Sequence, residues 1–308
     1  MRIADKRYKL IKRFGAQWQM QLMVLPAIVL LFIFCYIPMA GIILAFKDFT
    51  FRGGVFGSPW VGVTHFKAFF TGPDFGKIVL NTLAINLLKL VFSFPIPIIF
   101  TLLLNEVVSK GLKRATQTVV YLPHFISWVI VAGIFTNLLT LDGTINRILT
   151  GLHILKKPVV LMGEAGLFWP LMVITGVWKE AGWNSIIFIA ALSNVNTELY
   201  DAAKVDGAGR FKRMLHVTLP ALSSAITICL LFSVAGIMTA GFDQIYLFQN
   251  PLNLSRSEVL DTYIYKTGIK QGLFSRSAAG GLFQSVLNFT TLIVANTVAK
   301  RVNGTGLF

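Results

Sequence analysis

Residues 21–46 read QLMVLPAIVLLFIFCYIPMAGIILAF, 26 positions without one Asp, Glu, Lys or Arg. A helix that crosses a bilayer needs roughly 20 mostly apolar residues, so this stretch predicts a membrane span. Five more stretches of the same kind follow at 78–104, 118–141, 166–193, 221–242 and 279–299. The third and fourth are less uniform, each with a proline near its start (Pro123, Pro170) and polar residues inside. The expectation is an all-α polytopic membrane protein with six transmembrane helices.

Composition agrees with that reading. Apolar residues make up 55% of the chain and charged residues 13%, and the mean hydropathy is +0.70. A soluble domain of this size needs far more polar surface, whereas lipid allows an apolar exterior. The net charge of +15 does not point to nucleic acid. The cations sit in short stretches between apolar blocks, the pattern expected where anionic lipid is the counter-charge. Cys35 and Cys229 lie inside apolar blocks and read as small hydrophobes, with no disulfide or metal-ligand spacing. The first apolar stretch is too long for the core of a signal peptide and is read as a retained span.

Lys and Arg set the orientation. The N-terminal tail, the loops around Lys110–Arg114 and Lys204–Arg213, and the tail with Lys300 and Arg301 carry more cations on shorter segments than the opposite loops do. Both termini are therefore expected in the cytoplasm. Residues 1–20 read as a cytoplasmic segment in which Tyr8, Leu10, Ile11, Phe14 and Trp18 fall near helical spacing among cations. The expectation there is an amphipathic helix on the inner leaflet, with a disordered basic tail as the plainer alternative. Residues 21–300 form the transmembrane domain and 301–308 a cytoplasmic tail. In the last outer loop, Leu260, Tyr263 and Ile264 share one helical face and predict a short surface helix.

The loop between the fourth and fifth spans reads ELYDAAKVDGAGRFKRMLHVTLP over residues 198–220. Asn196 or Thr197 can cap a helix running to about Asp206. Gly207 can take the left-handed conformation that ends it. A second helix is expected from Arg210 to His216, and Pro220 suits the first turn of the next span. Two short helices held between membrane helices, with small Ala202 and Ala203 on one face, could pass a push from a soluble partner into the membrane.

That loop resembles the coupling motif of bacterial ABC importer permeases: Glu-Ala-Ala, three residues, Gly, nine residues, Ile-x-Leu-Pro. Here it reads Asp201-Ala202-Ala203, three residues, Gly207, nine residues, Val217-Thr218-Leu219-Pro220. The departures are Asp for Glu and Val for Ile. The stretches WKEAGWNSIIFIAALS (178–193), GFDQIYLFQNP (241–251), VLDTYIY (259–265), GLFQSV (281–286) and AKRVNGTGLF (299–308) extend the resemblance to the LplB-type permeases. These form the maltose-permease-like branch linked to polysaccharide and oligosaccharide uptake. The resemblance implies the type I importer permease fold in a bacterial cell membrane. It also implies ATPase coupling through Asp201, Ala202, Ala203, Asp206, Gly207, Leu219 and Pro220 in the loop 196–220. The implied partners are a second homologous permease subunit, two ATPase subunits, an extracytoplasmic sugar-binding lipoprotein and an oligosaccharide substrate. ATP and Mg would sit on the ATPase, because this chain has no Gly-x-x-x-x-Gly-Lys-Ser/Thr phosphate loop.

Lys89 lies midway through the second predicted span, and Lys179 and Glu180 are adjacent in the fourth. Charge in hydrocarbon costs roughly 3 kcal/mol or more, so such groups usually face a cavity or a subunit interface. A hydrated sugar pathway would use them, with Trp128, Trp178 and Trp183 stacking on sugar faces and Asn137, Asn184 and Gln284 bonding hydroxyls. The alternative for each is structural, as a snorkelling lysine, an ion pair or an interfacial tryptophan. An ion-gradient-driven secondary transporter would show matched carboxylates in paired halves. A membrane-embedded enzyme acting on glycan or lipid would show a nucleophile and base. The sequence offers neither, and no metal set. On the six-span topology, a thiol reagent should reach Gly209→Cys only from the cytoplasmic side and Ser255→Cys only from outside. Labelling with the sides exchanged would overturn it.

Overall fold

The computed structural model of the chain describes residues 17–304, 306 and 307. The amphipathic segment expected over 1–20 falls largely outside the described residues, and from Trp18 the chain is already in the first long helix. The described residues are mainly helical. Their one extended pairing is an isolated bridge between Lys47 and Trp60.

Helix α1 runs over Trp18–Phe46, α3 over Phe75–Asn105 and α13 over Phe274–Asn303. All three are long and apolar enough to cross a membrane, and the count is five if each of two bent pairs forms one span. The fourth expected span is helix α7, Phe168–Leu192. Its 25 residues reach about 37 Å at 1.5 Å per residue, but it lies outside that count. The length and composition of the described helices thus give three to five spans, against the six expected.

The two bent pairs depart from the expected spans. The stretch 118–141 is not one helix. Helix α4 (Lys110–Phe125) and α5 (Trp128–Leu138) meet at 96°. Pro123 lies in a tight 3-10 turn, Leu122–Phe125, and Ile126 is extended. Ser127 then caps α5, its Oγ accepting from the Ile130 N–H at 3.4 Å. A proline followed four residues later by a serine cap is a stop and a restart. The fifth stretch bends by 62° between α9 (Arg210–Ala221) and α10 (Ser223–Ala235), and ends at Gly236 rather than Phe242.

Three helices widen into a π turn two residues before a proline. Phe32–Tyr36 precedes Pro38, Lys89–Ser93 precedes Pro95, and Met214–Thr218 precedes Pro220. Proline has no N–H for the carbonyl four residues back. In each case the N–H of the residue just before the proline reaches five back, as when Phe94 donates to Lys89 O at 3.0 Å.

Helix α7 organises the packing, lying against α3, α4 and α10. One cluster gathers Ile85, Val131, Phe168, Met172, Ile245 and Phe248. A second joins Phe69, Ile78, Met238 and Leu260. The expected surface helix is present as α12, Leu260–Tyr265, with Leu260 fully buried and Tyr263 and Ile264 packed on the same cluster. By contrast, none of residues 18–39 in α1 is buried within the chain. Only its last turns, Ala40–Phe46, pack on α13 and on helix α2, Thr64–Phe70.

The contact of α7 with α4 is close at Gly182. A Cβ there would stand 2.2 Å from Val120 O, a distance no side chain tolerates. Gly182→Ala should therefore force α4 away and destabilise the protein by about 1–3 kcal/mol. Gly133→Ala, where a Cβ meets nothing within 4 Å, should be neutral. Thermal unfolding in detergent reads both, and an unchanged midpoint for Gly182→Ala would contradict this packing.

Candidate functional site

Two regions carry the candidate residues. The first is the exposed pair of short helices after α7. Helix α8 spans Thr197–Val205 and is capped by Asn196, whose Oδ1 accepts from the Glu198 N–H at 3.0 Å. It closes at Gly207, with φ of +74°, where the Ala208 N–H reaches Ala203 O at 2.9 Å. That closure is the glycine cap expected at this position. A Cβ on Gly207 would meet nothing within 4 Å, so a side chain there is resisted by backbone conformation and not by crowding.

The second helix departs from expectation. Its α-helical part is only Arg210–Arg213, and the chain continues through the π turn Met214–Thr218 into Leu219–Ala221. The hydroxyls of Tyr200 and Thr218 share a hydrogen bond at 3.1 Å that ties α8 to α9. Asp201 and Ala202 are exposed and Ala203 half-buried, while Asp201 pairs with Lys204 at 2.7 Å. Leu199, Val205 and Phe211 are 53%, 87% and 67% exposed. An apolar set this open on a capped, braced element leaves a surface unfilled within the chain.

The second region is a cavity of about 800 Å³ between α3, α7 and α10. Its lining combines Asn86, Lys89, Ser93, Asn184, Ser233 and Thr239 with Phe94, Trp183, Phe188 and Phe232. A cavity of about 420 Å³ shares Lys89, Ser93 and Asn184 and adds Trp128, Glu180 and Asp243. Apolar and aromatic walls with a few polar groups suit a small-molecule site.

Lys89 opens the π turn of α3, and its Nζ donates to Ala240 O and to Gln244 Oε1, both at 2.8 Å. The peptide it grips, residues 236–241, leaves the helical path after α10. Asn86 donates to Ile237 O at 2.8 Å, and Gln284 to Met238 O at 2.7 Å. The Met238 N–H is taken by Asn288 at 2.9 Å and the Ala240 N–H by Asp261 at 2.7 Å.

Lys179 is buried, donates to His124 O at 2.6 Å and lies 3.3 Å from Glu180. It also stands 5.4 Å from the Trp128 ring centre. His124 Nδ1 donates to Glu180 Oε2 at 2.6 Å, and its ring stacks on Trp183 at 4.2 Å. This cluster pins the break between α4 and α5 onto α7.

Of the sequence-nominated pathway residues, Lys89, Trp128, Glu180, Trp183 and Asn184 thus line one or both of these cavities. Lys179 lines a neighbouring cavity with His124 and Trp128. Trp178 instead meets Phe135 edge-on at 5.9 Å. Asn137 is exposed near the end of α5, and Gln284 braces 236–241. None of these three lines a described cavity. Sequence reasoning passed over His124, Ser93, Gln244 and Asp261. His124 had a signal, being an ionisable group inside an apolar stretch, whereas Gln244 and Asp261 read as ordinary loop residues. No group of three or more His, Cys, Asp or Glu among the described residues could hold a metal.

Comparison with known proteins is specific. Residues 93–304 match the family described as "Binding-protein-dependent transport system inner membrane component". Protein LplB of Bacillus subtilis (strain 168) is 44% identical over 288 residues, 93% of this chain and 90% of LplB. The polygalacturonan/rhamnogalacturonan transport system permease protein YteP of the same strain is 40% identical over 304 residues, 99% of this chain and 94% of YteP. A chain in the crystal structure of a bacterial alginate ABC transporter, in complex with alginate pentasaccharide-bound periplasmic protein, matches with a TM-score of 0.87 at 35% identity. That match covers 97% of this chain and 100% of the other. With family, near relatives and fold in agreement, the chain belongs to the binding-protein-dependent transport system inner membrane components, as a membrane-spanning permease subunit of an ABC importer and not an enzyme.

Proposed function

We propose that this permease moves an oligosaccharide into the cell by alternating access, and that the loop 196–220 couples it to a separate ATPase. The observation that carries the reading is the exposed, capped helix α8, braced by Tyr200 against Thr218 and continuous through α9 with α10. The open apolar side chains Leu199, Val205 and Phe211 suit the groove of a soluble partner. The cavity shared by Lys89, Trp183 and Asn184 supports a sugar path, because aromatic faces and amide groups are the contacts that pyranose rings use. The working assembly pairs this chain with a second homologous permease subunit, two ATPase subunits that bind ATP and Mg, and an extracytoplasmic sugar-binding lipoprotein. Both termini lie in the cytoplasm, which puts α8 on the ATPase side.

Gly207→Asp tests the coupling. The left-handed backbone costs a residue with a Cβ roughly 1 kcal/mol or more, and the new carboxylate adjoins Asp206. The variant should insert and pair with its partner permease. It should either fail to retain the ATPase or retain it without the stimulation of hydrolysis by loaded binding protein. Gly209→Ala, where a Cβ is free of contacts and φ is −65°, should behave as wild type. Normal ATPase retention and stimulation in Gly207→Asp would remove the loop from the coupling path.

A further inference from the structure

Glu180 and Trp183 stand three residues apart on α7 and so share one face of it. Against both lies the imidazole of His124, from the tight turn Leu122–Phe125 that ends α4. Its Nδ1 donates to Glu180 Oε2 at 2.6 Å, and its ring lies 4.2 Å from that of Trp183 with only 3° between the planes. Phe125, the next residue, meets the same indole edge-on at 5.6 Å. Two successive side chains of the turn thus hold one tryptophan.

The fold does not need this imidazole to pin the break between α4 and α5. Lys179 reaches the His124 carbonyl at 2.6 Å, a bond that any residue at position 124 would accept. Glu180 stands 3.3 Å from the same ammonium. That grip uses no atom of the His124 side chain. What the side chain adds is a flat surface whose direction is fixed by a carboxylate.

The held indole belongs to the large cavity. Trp183 lines it and His124 does not, while His124 lines a different cavity with Phe125, Trp128 and Lys179. Trp183 is still 41% exposed. So open a side chain ordinarily samples several rotamers, and a ligand that stacks on it must bear the cost of ordering it. Here the ordering is already done by a neighbour on the far side of the ring.

We propose that His124 is a positioning residue for transport. Its imidazole covers one face of Trp183 and thereby holds the other ready in the cavity for a sugar ring. The proposal rests on the importer reading above and adds to it a residue that touches no cargo. It is indifferent to the charge of the cargo, because a pyranose stacks through its C–H face.

The test is ATP-driven uptake by the complete importer, with its binding protein and ATPase, in vesicles. Trisaccharides of galacturonate, glucose and galactose are offered, and the one that the wild type takes up fastest is the probe. His124→Gln keeps a donor for Glu180 but removes the flat ring, and Trp183→Ala removes the platform. Each should lower the maximal rate about three- to tenfold, the scale of one aromatic pair. The half-saturating concentration, set by the binding protein, should stay where it is. If His124 acts through Trp183, the double variant should be no slower than Trp183→Ala, whereas two independent structural losses would multiply. His124→Phe, a ring without the carboxylate tie, should recover most of the lost rate. Multiplied losses in the double variant, or wild-type uptake by His124→Gln, overturn the proposal. Fluorine NMR of the importer labelled with 5-fluorotryptophan decides even if His124→Gln does not assemble. The signal that Trp183→Phe removes should be a single line before cargo is added, and should move with the trisaccharide. Several lines for that indole, or one that ignores the trisaccharide, overturn the proposal as well. Uptake of none of the three sugars by the wild type would instead overturn the importer reading, and this proposal with it.

Discussion

The peptide 236–241 imposes the governing constraint on this structure. It follows a 13-residue apolar helix, α10, and the N–H and C=O of Met238 and Ala240 and the C=O of Ile237 are bonded to side chains and not to backbone. In surroundings without water each unpaired backbone group costs several kcal/mol, so irregular backbone survives there only if other parts of the protein satisfy it. Five side chains do so. Asn86 and Lys89 come from α3, Asp261 from α12, and Gln284 and Asn288 from α13. Three elements distant in sequence must therefore converge on one short strip, and the cavity between α3, α7 and α10 borders that convergence. The polarity of the cavity is in part a by-product. Lys89 and Asn86 line it because they must reach the broken peptide beside it.

The prolines act one level lower. Pro38, Pro95 and Pro220 each sit two residues past a π turn. Elsewhere in an apolar helix a missing N–H would strand a carbonyl, but widening the turn re-pairs part of the ladder. In α3 the same adjustment sets Lys89 and Ser93 on the cavity wall. In α9 it sets Thr218, which is fully buried, against Tyr200. One local device thus shapes both the cavity and the loop 196–220, and in each case the proline announces it in the sequence.

Apolar runs and caps were legible for this reason: they are local. The stretches 21–46, 78–104 and 279–299 appear as long helices because length and hydropathy alone decide them. The loop 196–220 was legible down to its Asn196 cap and the positive φ of Gly207, since both depend on a few neighbouring residues. Breaks were read less well. Pro123 and Ser127 were visible, but a 96° bend depends on what holds the freed carbonyl, namely Lys179 from 55 residues away. The site residues divide along the same line. Lys89 and Glu180 were nominated by the cost of charge in lipid, Trp183 as a stacking face and Asn184 as a hydroxyl partner, and all four line cavities. Trp178, Asn137 and Gln284 were nominated as stacking or hydroxyl-bonding groups in the same way and do not line a described cavity, because a polar or aromatic group inside a membrane protein can equally serve packing, an aqueous boundary or a brace. Residue type gives the cost of burial. It does not say which neighbour offsets it.

The loop and the cavity are joined by one short element. From the exposed helix α8 the chain passes through the Tyr200–Thr218 contact into α9, bends by 62°, and becomes α10. At about 1.5 Å per residue, α10 spans roughly 20 Å, and its far end is the bracketed peptide 236–241. Packed helices move as rigid bodies, so displacement at one end of α10 arrives at the other with little loss. Coupling between distant sites requires an element with two discrete arrangements. A helix interior is a poor candidate, since its backbone bonds are made within itself. The peptide 236–241 is a better one, because its bonds are made to side chains on α3, α12 and α13, which can be exchanged one for another without exposing the backbone to lipid. On the proposed function, a pull on α8 by the ATPase would therefore be felt at this peptide, whose Ala240 carbonyl is held by Lys89 from the cavity wall.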